Sequence, residues 1–537
     1  MNARMHTGSP WRVALLLMLV AGTTLPATAQ TAEDAIRFTE RSPATGPRLI
    51  GMAGAGIAGT ADNSAFFNNP AGLGYFQQSA VSGAFNAVYA TDQSFYQTPG
   101  FSSRLDEDIS KTHLGNLSYI YRAPTRQGSF VIGAAYNQVH SFERDLRFVG
   151  QNAVSTISTS FLPFDAEFSL DGNDNLESLD DLPFAAFNGG MIEFFPEFLD
   201  EDPNAYPFLE AVVPGKEIEQ SGSVIESGRM NEVSLGGAVE AAQGVMLGFS
   251  TNLVFGEYNF TSVFEEADVF NENTGADYSV LLDDGSLLEG FDFLSYRQFL
   301  ESNFLGVNAR AGVSVAVGPS VRVGASLETP TYYDVNESFG MDFETVFDDG
   351  GVLRYGDQID DVGNGEFEYR IITPWRLSVG VGFHTDNVTV LADAEVVDWS
   401  QLEFKEEFVE DRGFFDELNL GIQEDYTAVV NGRLGLEYRL GDLMLRGGVA
   451  YQPDPFDLAL RKADGSSLER DKLFFSAGLG YRFQNRVQVD FGWMQGRFDS
   501  IYAAYPEDSL GARQDDTLLV DEEVVQNQIV LGLSFFF

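Results

Sequence analysis

The 537-residue sequence has no cysteine and little histidine or lysine. Without cysteine, it has no disulfide scaffold, cysteine-based zinc site or thiol nucleophile. Beyond residue 30 the histidines are His113, His140 and His384, too widely spaced for an H-E-x-x-H helix or a zinc cluster. His140 and Ser141 are neighbours on one candidate strand, so they point to opposite faces and do not form a nucleophile–base pair. We therefore expect no enzyme activity, no metal and no cofactor.

Positive charge is scarce as well: 32 Lys and Arg stand against 80 Asp and Glu, a formal net charge of -48 at pH 7. This balance argues against binding nucleic acid or anionic lipid through a basic surface. The surplus acid concentrates in candidate loops such as 171–181 and 348–361. These loops either form a solvated, self-repelling surface, which we favour, or capture cations. Asp171 begins a stretch like a calcium loop, but Leu176 and Leu182 occupy the positions of the turn glycine and the bidentate glutamate.

Long apolar runs are missing beyond residue 29, so no transmembrane helix is expected there. The apolar run 13–21 follows Arg4 and Arg12 and precedes the small-residue sequence Ala27-Thr28-Ala29. This order is typical of a secretory signal peptide, and the run is too short to span a bilayer as a helix. We expect residues 1–29 to be a cleaved signal peptide and the mature chain to be exported.

The sequence is rich in stretches in which apolar residues alternate with smaller or polar ones, with a period of two. At its end, Ile529, Leu531, Leu533, Phe535 and Phe537 alternate with mostly smaller residues, which predicts a strand with one apolar face. Exposed phenylalanines at a terminus invite aggregation in a soluble domain, whereas the closing strand of a membrane barrel presents them to lipid. This ending resembles the C-terminal signal of bacterial outer-membrane proteins. Outer-membrane lipid and, through the Phe537 strand, the barrel-assembly machinery are therefore expected partners.

Turn residues divide the chain into a regular series of hairpins. Short turns are predicted at 125–128, 242–244, 318–320, 385–387, 441–442 and 484–485. Much longer connections are predicted near 96–112, 148–228, 265–303, 332–365, 403–424, 453–470 and 499–523. Six hairpins, one strand before them and one after them make fourteen strands. Short turns at one rim and long loops at the other are typical of an outer-membrane barrel, with the long loops extracellular. We therefore predict an all-β fold, a 14-stranded antiparallel transmembrane β-barrel over residues 79–537.

The alternation also assigns the two faces of the wall. The apolar set should face lipid, for example Leu434 and Phe475, because a charge there costs roughly 2–4 kcal/mol at the bilayer centre. The polar set should line the lumen: Arg310, Arg322, Arg376, Arg433, Arg439, Arg446 and Arg482 with Glu240, Glu328, Asp393, Glu395, Glu437 and Asp490. Such an interior could orient a permeating amphiphile. For any single residue we favour the alternative that lumenal charges satisfy one another as ion pairs.

Residues 30–78, ahead of the first strand, are glycine-rich and show little strand-like alternation. Gly54, Gly56 and Gly59 fit the dinucleotide pattern G-x-G-x-x-G, but no βαβ unit or suitably placed acidic residue accompanies them. We reject nucleotide binding. The glycines instead allow a compact plug to pack backbone to backbone inside a narrow lumen, so we predict that this segment is a hatch.

Several runs resemble the FadL-type transporters of hydrophobic compounds. They are 48–56 (RLIGMAGAG) followed by 69–73 (NPAGL), then 328–333 (ETPTYY), 373–376 (TPWR) and 393–400 (DAEVVDWS). Their order is that of the family, and they span nearly the whole mature chain. The resemblance implies fourteen strands around an N-terminal hatch, with Asn69, Pro70, Ala71 and Gly72 as the hatch element. The alternative is that these four residues form only a tight turn. The long loops 148–228 and 265–303 depart from the family, so no ligand site can be transferred to them.

Both of those loops are unusually rich in aromatic residues. The candidates for an external apolar groove are Phe184, Phe187, Phe194, Phe195, Phe198, Phe291, Phe293, Tyr296 and Phe299. Such a groove would gain about 25 cal/mol for each Å² of apolar ligand surface it buries. The alternative, which does not exclude the first, is that the two loops pack on each other and cap the barrel. By the resemblance, a captured ligand would pass to the hatch, whose rearrangement would open a lateral exit through the barrel wall.

These features lead to three functional hypotheses. The leading hypothesis is passive outer-membrane uptake of hydrophobic small molecules such as long-chain fatty acids or hydrocarbons. The second is a non-transport barrel of the same superfamily that serves as a partner in secretion or surface attachment, its apolar loops docking protein. The third, a general diffusion porin, is disfavoured by the predicted plug.

Overall fold

The computed structural model describes residues 36–163, 167–171, 175–196, 198–199, 206–212, 216–275, 278–282, 285–357, 362–406, 414–457, 462, 466–504 and 518–537. The predicted signal peptide, 1–29, and the first part of the predicted hatch, 30–35, lie outside these residues. Among the described residues, no helix combines the length and apolar character needed to cross a membrane.

Strands dominate the structure. They are β1 (Ala80–Thr98), β2 (Phe101–Ala123), β3 (Phe130–Ser141), β4 (Arg144–Asn152), β5 (Phe168–Leu170), β6 (Leu176–Leu179), β7 (Ile192–Phe194), β8 (Phe208–Glu210), β9 (Ile218–Ala242), β10 (Val245–Ala267), β11 (Ser279–Leu281), β12 (Leu287–Glu289), β13 (Phe293–Val317), β14 (Val321–Glu328), β15 (Tyr332–Val346), β16 (Val352–Gly356), β17 (Asn364–Ile372), β18 (Arg376–His384), β19 (Val388–Asp398), β20 (Glu403–Glu406), β21 (Ala428–Leu440), β22 (Leu443–Gln452), β23 (Lys472–Phe483), β24 (Val487–Ala503) and β25 (Leu519–Phe536). The α-helices are α1 (Pro47–Ile50), α2 (Asp181–Asn188) and α3 (Phe414–Asp425), and short 3-10 turns cover Asn63–Phe66, Pro70–Tyr75, Ile157–Phe161 and Trp399–Gln401.

The wall is a closed barrel of fourteen antiparallel strands. Four of them are interrupted: β3 continues as β4, β14 as β15, β17 as β18 and β19 as β20. The circuit closes because β25 pairs with β1, from Ala80↔Phe536 to Tyr96↔Val520. The predicted fold class and strand number are therefore confirmed. All six predicted short turns are found, and they share one rim, the short-turn end; the opposite rim is the long-loop end.

The predicted long connections were wrong in extent, because the strands run further than expected. β1 and β2 meet at a tight turn between Thr98 and Phe101, inside the connection predicted at 96–112. β13 starts at Phe293, so 293–303 is strand rather than loop. Near the long-loop end the outward residues become polar or charged, as at Arg104, Asp106 and Asp108. The apolar signal of a strand is then lost although the backbone pairing continues.

The outward face of the wall carries an apolar band. On β10 it includes Leu247, Phe249 and Leu253, all exposed, and it ends at Glu257, which pairs with the outward Arg229 of β9 at 3.8 Å. Nine tilted residues from Leu247 to Phe255 cover roughly 20–25 Å, close to the apolar height of an outer-membrane barrel. The predicted lipid face is confirmed, for example at Leu434 and Phe475.

The long-loop end is covered by an apolar cap. Its core combines residues of the Ile157–Phe161 turn, α2 and β8 with the outer ends of β10, β13 and β15. A second apolar layer lies deeper in the lumen, where Phe38 packs among Phe142, Tyr258 and Phe304. The N-terminal segment is residues 39–76, and its part 46–76 lies beneath this layer, toward the short-turn end.

Candidate functional site

Wall glycines make room for the N-terminal segment. A Cβ atom at Gly248, Gly324 or Gly492 would lie under 3.0 Å from backbone atoms of the segment. Similar close approaches occur at Gly312, Gly380, Gly435, Gly448 and Gly532. These glycines belong to strands around most of the barrel, and their lack of a side chain lets the segment touch the wall directly. The sequence indicated glycines in the segment itself and placed Gly435, Gly478 and Gly480 on the lumenal face of the wall, but the packing of wall glycines against the segment was not predicted.

Asn69 joins three parts of the chain. Its Oδ1 accepts from Ala71 N at 3.0 Å, while its Nδ2 donates to Ile57 O at 2.7 Å and to Val313 O of β13 at 3.1 Å. Pro70 begins the 3-10 turn Pro70–Tyr75, and its missing donor costs nothing at that position. Gly72 fits against Thr60 O, which a Cβ atom would approach to 2.8 Å. The four residues therefore fasten the segment to itself and to the wall.

Three of the other motifs hold the same segment. Glu328 forms an ion pair with Arg41 at 2.7 Å. Arg376 donates to Thr39 O at 2.7 Å. Asp393 accepts from Gly56 N at 2.5 Å and from Ile57 N at 3.0 Å. Stretches that lie far apart in the sequence thus converge on one short piece of chain.

Lumenal charges form a paired network. Arg310 binds Glu232 and Glu328, each at 2.5 Å, and its Nη1 donates to Phe66 O at 2.9 Å. Arg446 binds Glu437 at 2.8 Å and Asp490 at 2.7 Å. Of the predicted lumenal arginines, Arg310, Arg376, Arg433 and Arg446 are buried, Arg322 and Arg482 are half-buried and Arg439 is exposed at the short-turn end. For the buried ones, mutual pairing accounts for their presence.

A cavity of about 370 Å³ lies in the lumen above the N-terminal segment. Its apolar lining includes Phe142, Trp399, Tyr426, Val429 and Phe474. Charged side chains share the lining, so the cavity is amphipathic. Its volume falls in the range of roughly 300–1,000 Å³ that is usual for small-molecule sites.

The wall is interrupted beside this cavity. β2 and β3 pair only as far as Asn116↔Asn137. Strand β3 ends at Ser141, and β4 turns inward toward β1. There Asp145 N donates to Asp92 Oδ2 of β1 at 3.0 Å, and Thr98 Oγ1 donates to Gln151 O at 2.6 Å.

We call the resulting separation of β2 from β3 the wall gap. An ion pair of 3.6 Å between Lys111 and Glu143 crosses it. Beside it, the side-chain atoms Asn86 Oδ1, His113 Nε2, Gln138 Nε2 and His140 Nδ1 are buried without a hydrogen-bond partner among the described residues. Asn86, Gln138, His140 and Glu143 also line the cavity, so the cavity reaches the gap.

The predicted groove residues do not form one surface. Phe187, Phe291 and Tyr296 lie in the buried core of the cap, where Tyr296 packs on Phe343 with ring centroids 4.7 Å apart. Phe293, Tyr296 and Phe299 belong to strand β13, so placing them in a loop was wrong. Phe293 and Phe299 alternate with the inward residues of β13 and are half-buried on its other face.

The remaining groove candidates, all on the loop that carries α2, are half-buried. Phe184 packs edge-on against Tyr355 at 6.0 Å, Phe194 lies 5.3 Å from Phe208, and Phe195 stacks on Phe198 at 5.5 Å. Four further aromatic residues of the cap core, Phe161, Tyr278, Phe343 and Phe347, were not predicted. Phe343 lies on β15 and Phe347 one residue past its end; their spacing of four, which on a strand gives one face, was the available signal.

One buried acid stands within the cap. Glu266, at the outer end of β10 and nine residues beyond Glu257, is fully buried. It accepts from Thr156 Oγ1 at 2.5 Å, Ile157 N at 2.9 Å and Gln220 Nε2 at 2.7 Å. Burial nevertheless raises the pKa of Glu266 to about 7, because desolvation penalises its charged form.

Comparisons with known proteins agree with this architecture. Among solved structures, the Pseudomonas putida toluene transporter TodX superposes with a TM-score of 0.51 at 13% identity, covering 92% of this chain and 99% of that one. A Pseudomonas aeruginosa FadL homologue superposes with a TM-score of 0.52 at 13% identity, covering 93% and 99%. No curated protein matches the sequence. Residues 231–532 match the sequence profile described as "Outer membrane protein transport protein (OMPP1/FadL/TodX)". The chain therefore belongs to this family, and its barrel is a bacterial outer-membrane barrel.

Proposed function

We propose that the protein carries hydrophobic small molecules passively across the outer membrane, with a sideways exit through the wall gap. The single observation that carries this proposal is that the lumenal cavity reaches the place where β2 and β3 separate. One solved relative is a toluene transporter and the other a FadL homologue, which supports a hydrophobic cargo.

An apolar molecule gains nothing from a water-filled pore, because its transfer from water is what drives its binding. The extracellular cap offers aromatic surface for first contact, including the half-buried Phe184, Phe194, Phe195 and Phe198. Phe187, Phe291 and Tyr296 would be reached only when the cap opens, since they are buried in its core. Phe293 and Phe299 would contribute from the outer face of β13.

The cavity below the cap would bind the molecule next. From it the direct way down is filled by the N-terminal segment, which the wall holds through Asn69, Asp393 and Glu328. In this proposal the segment acts as a hatch, with Asn69, Pro70, Ala71 and Gly72 as its fastened element. Rearrangement of the segment would widen the route from the cavity to the gap.

The gap lies at a suitable depth for release into lipid. Its lower edge, Asn116, is seven residues from the short-turn end of β2 at Ala123. At its upper edge Ser141 pairs with Arg229, which marks the outer limit of the apolar band. A molecule leaving here would enter hydrocarbon rather than water.

Closing the gap tests the exit. Because the native chain has no cysteine, Lys111→Cys and Glu143→Cys can be bridged by a short bis-maleimide without side reactions at other thiols. We expect bridging to lower the uptake of a labelled hydrophobic compound by cells at least five-fold. Each single-cysteine variant, treated with the same reagent, is the matched control.

Unchanged uptake after complete bridging would show that the gap is not the exit. Uptake no greater than in cells without the protein, for both a long-chain fatty acid and a monoaromatic hydrocarbon, would contradict the transport proposal itself.

A further inference from the structure

The charged lining of the lumenal cavity bears on which hydrophobic molecules it takes. Six cationic side chains line it: Arg37, Arg41, Arg144, Arg376, Arg470 and Lys472. Seven carboxylates line it too: Glu40, Asp92, Glu143, Glu226, Asp454, Asp499 and Glu522. His140 is also in the lining, and histidine side chains are mostly neutral at pH 7. The described lining therefore holds no surplus of positive charge.

Each of the six cations already forms an ion pair or a hydrogen bond with an oxygen of the protein. Lys472 Nζ lies 2.7 Å from Glu40, Arg470 lies 2.6 Å from Asp454, and Arg144 lies 2.7 Å from Glu522.

The other three cations also have partners. Arg41 pairs with Glu328 at 2.7 Å, and Arg376 donates to Thr39 O at 2.7 Å. Arg37 lies 3.9 Å from Glu226 and over the ring of Tyr258 at 4.3 Å.

We infer that this cavity takes uncharged hydrophobic molecules, such as hydrocarbons, alcohols or esters, and rejects ionised fatty acids. This inference rests on the proposed transport function and specifies its substrate class. A carboxylate placed in the cavity would find no surplus of positive charge and would have to break an existing ion pair to gain a cation. An uncharged molecule of the same length would keep the apolar contacts with Phe142, Trp399 and Phe474 and disturb no pair.

The test compares two ligands that share a ten-carbon chain, 1-decanol and decanoate. Binding to the purified full chain at pH 7.5 is measured by equilibrium dialysis in detergent. The background is taken from Ala90→Trp, which fills the cavity from the buried position 90, or from Val88→Trp if the first variant does not fold. We expect decanol to bind at least ten-fold more tightly than decanoate.

Removing one acid should reverse the preference locally. Glu40→Gln frees Lys472 inside the cavity, so decanoate affinity should rise at least ten-fold while decanol affinity stays within about three-fold. Glu143→Gln is the matched control: it removes the same charge from the lining but frees Lys111, which is half exposed and not part of the lining.

Decanoate binding as tight as decanol binding in the native protein would overturn the inference and leave the transport proposal standing. Equal gains in decanoate affinity for Glu40→Gln and Glu143→Gln would also overturn it, because the committed cations would then not be the cause. Binding of neither ligand above the filled-cavity background would contradict the transport proposal and this inference together.

Discussion

Arg310 is a buried lumenal cation with four hydrogen bonds, and the effect of its removal can be worked out from them. Its side chain is 1% exposed and makes two bonds to Glu232, of 2.7 and 2.5 Å. It also bonds Glu328 at 2.5 Å and Phe66 O at 2.9 Å. Arg310→Met keeps a side chain of similar length and removes all four bonds together with the charge.

The cost depends on what each acid keeps. Glu328 retains Arg41 at 2.7 Å. Glu232 is fully buried, and within the described part of the chain it keeps one hydrogen bond, from the Ser234 hydroxyl at 2.8 Å. Stranding a buried charge in this way costs about 3–5 kcal/mol. Arg310→Met combined with Glu232→Gln strands no charge, so the free energy of unfolding should recover by at least half of that loss.

The assay is guanidinium unfolding of the detergent-solubilised barrel, followed by tryptophan fluorescence, for the native chain, each single variant and the double variant. Small-ion conductance in planar bilayers supplies a second readout. It should rise in Arg310→Met, because Phe66 O loses its donor and the N-terminal segment loosens. A loss below about 1 kcal/mol in Arg310→Met, or a double variant as unstable as the single one, would refute the reasoning.

Three further outcomes are expected. Gly248→Val should displace the segment at Ala71 and raise small-ion conductance, whereas Gly432→Val, with nothing within 4 Å of its Cβ position, should leave conductance unchanged; equal conductance in both variants would contradict the backbone packing. Glu266→Gln should match the native protein near pH 5 and make the cap more protease-resistant than native at pH 8. The folded state holds the Glu266 proton up to a pKa of about 7, so its contribution to stability is full below about pH 4.5 and is lost as the pH rises toward 7; identical resistance at both pH values would exclude this role. Deletion of 45–72 should increase leakage of small polar solutes and abolish selective uptake; single-channel conductance equal to that of the intact chain would show that the segment is not a plug.

Strand number and strand faces could be predicted because both depend on local sequence. A tight turn needs particular residues, such as Gly441 or the Gln484-Asn485 pair, which adopts positive φ. The faces follow from a period of two in side-chain direction, which a lipid-facing wall converts into alternating polarity.

The wall gap could not be predicted in the same way. Residues 138–143 contain no glycine or proline and continue the strand-like sequence. The break there arises from contacts distant in sequence, such as the bond from Asp145 to Asp92 that draws β4 inward. The true ends of β1, β2 and β13 were missed for a related reason, because strands that pair outside the membrane need no apolar face.

The density of aromatic residues in the sequence predicted a cluster at the long-loop end. It did not predict which of these residues lie in the core of the cap and which lie on the outer face of β13. Tyr296 and Phe299 are three residues apart, and on a strand that spacing sends them to opposite faces. Their assignment to opposite faces requires knowing that β13 already begins at Phe293, so that both residues lie on a strand. Phe187 and Phe291 come from different loops, and their shared core agrees with the alternative that the two loops pack on each other and cap the barrel.

The motifs that resemble the family share a physical task that explains why they were recognisable when the loops were not. Asn69, Glu328, Arg376 and Asp393 each bond the N-terminal segment or fasten it to the wall. Each of these bonds needs a specific donor or acceptor at a fixed place, so replacement by another residue type leaves a buried polar group unsatisfied. The cap is held mainly by apolar packing, and many combinations of Phe, Leu and Ile of similar volume satisfy it. A sequence resemblance is therefore concentrated around the segment, and the apolar cap is free to differ.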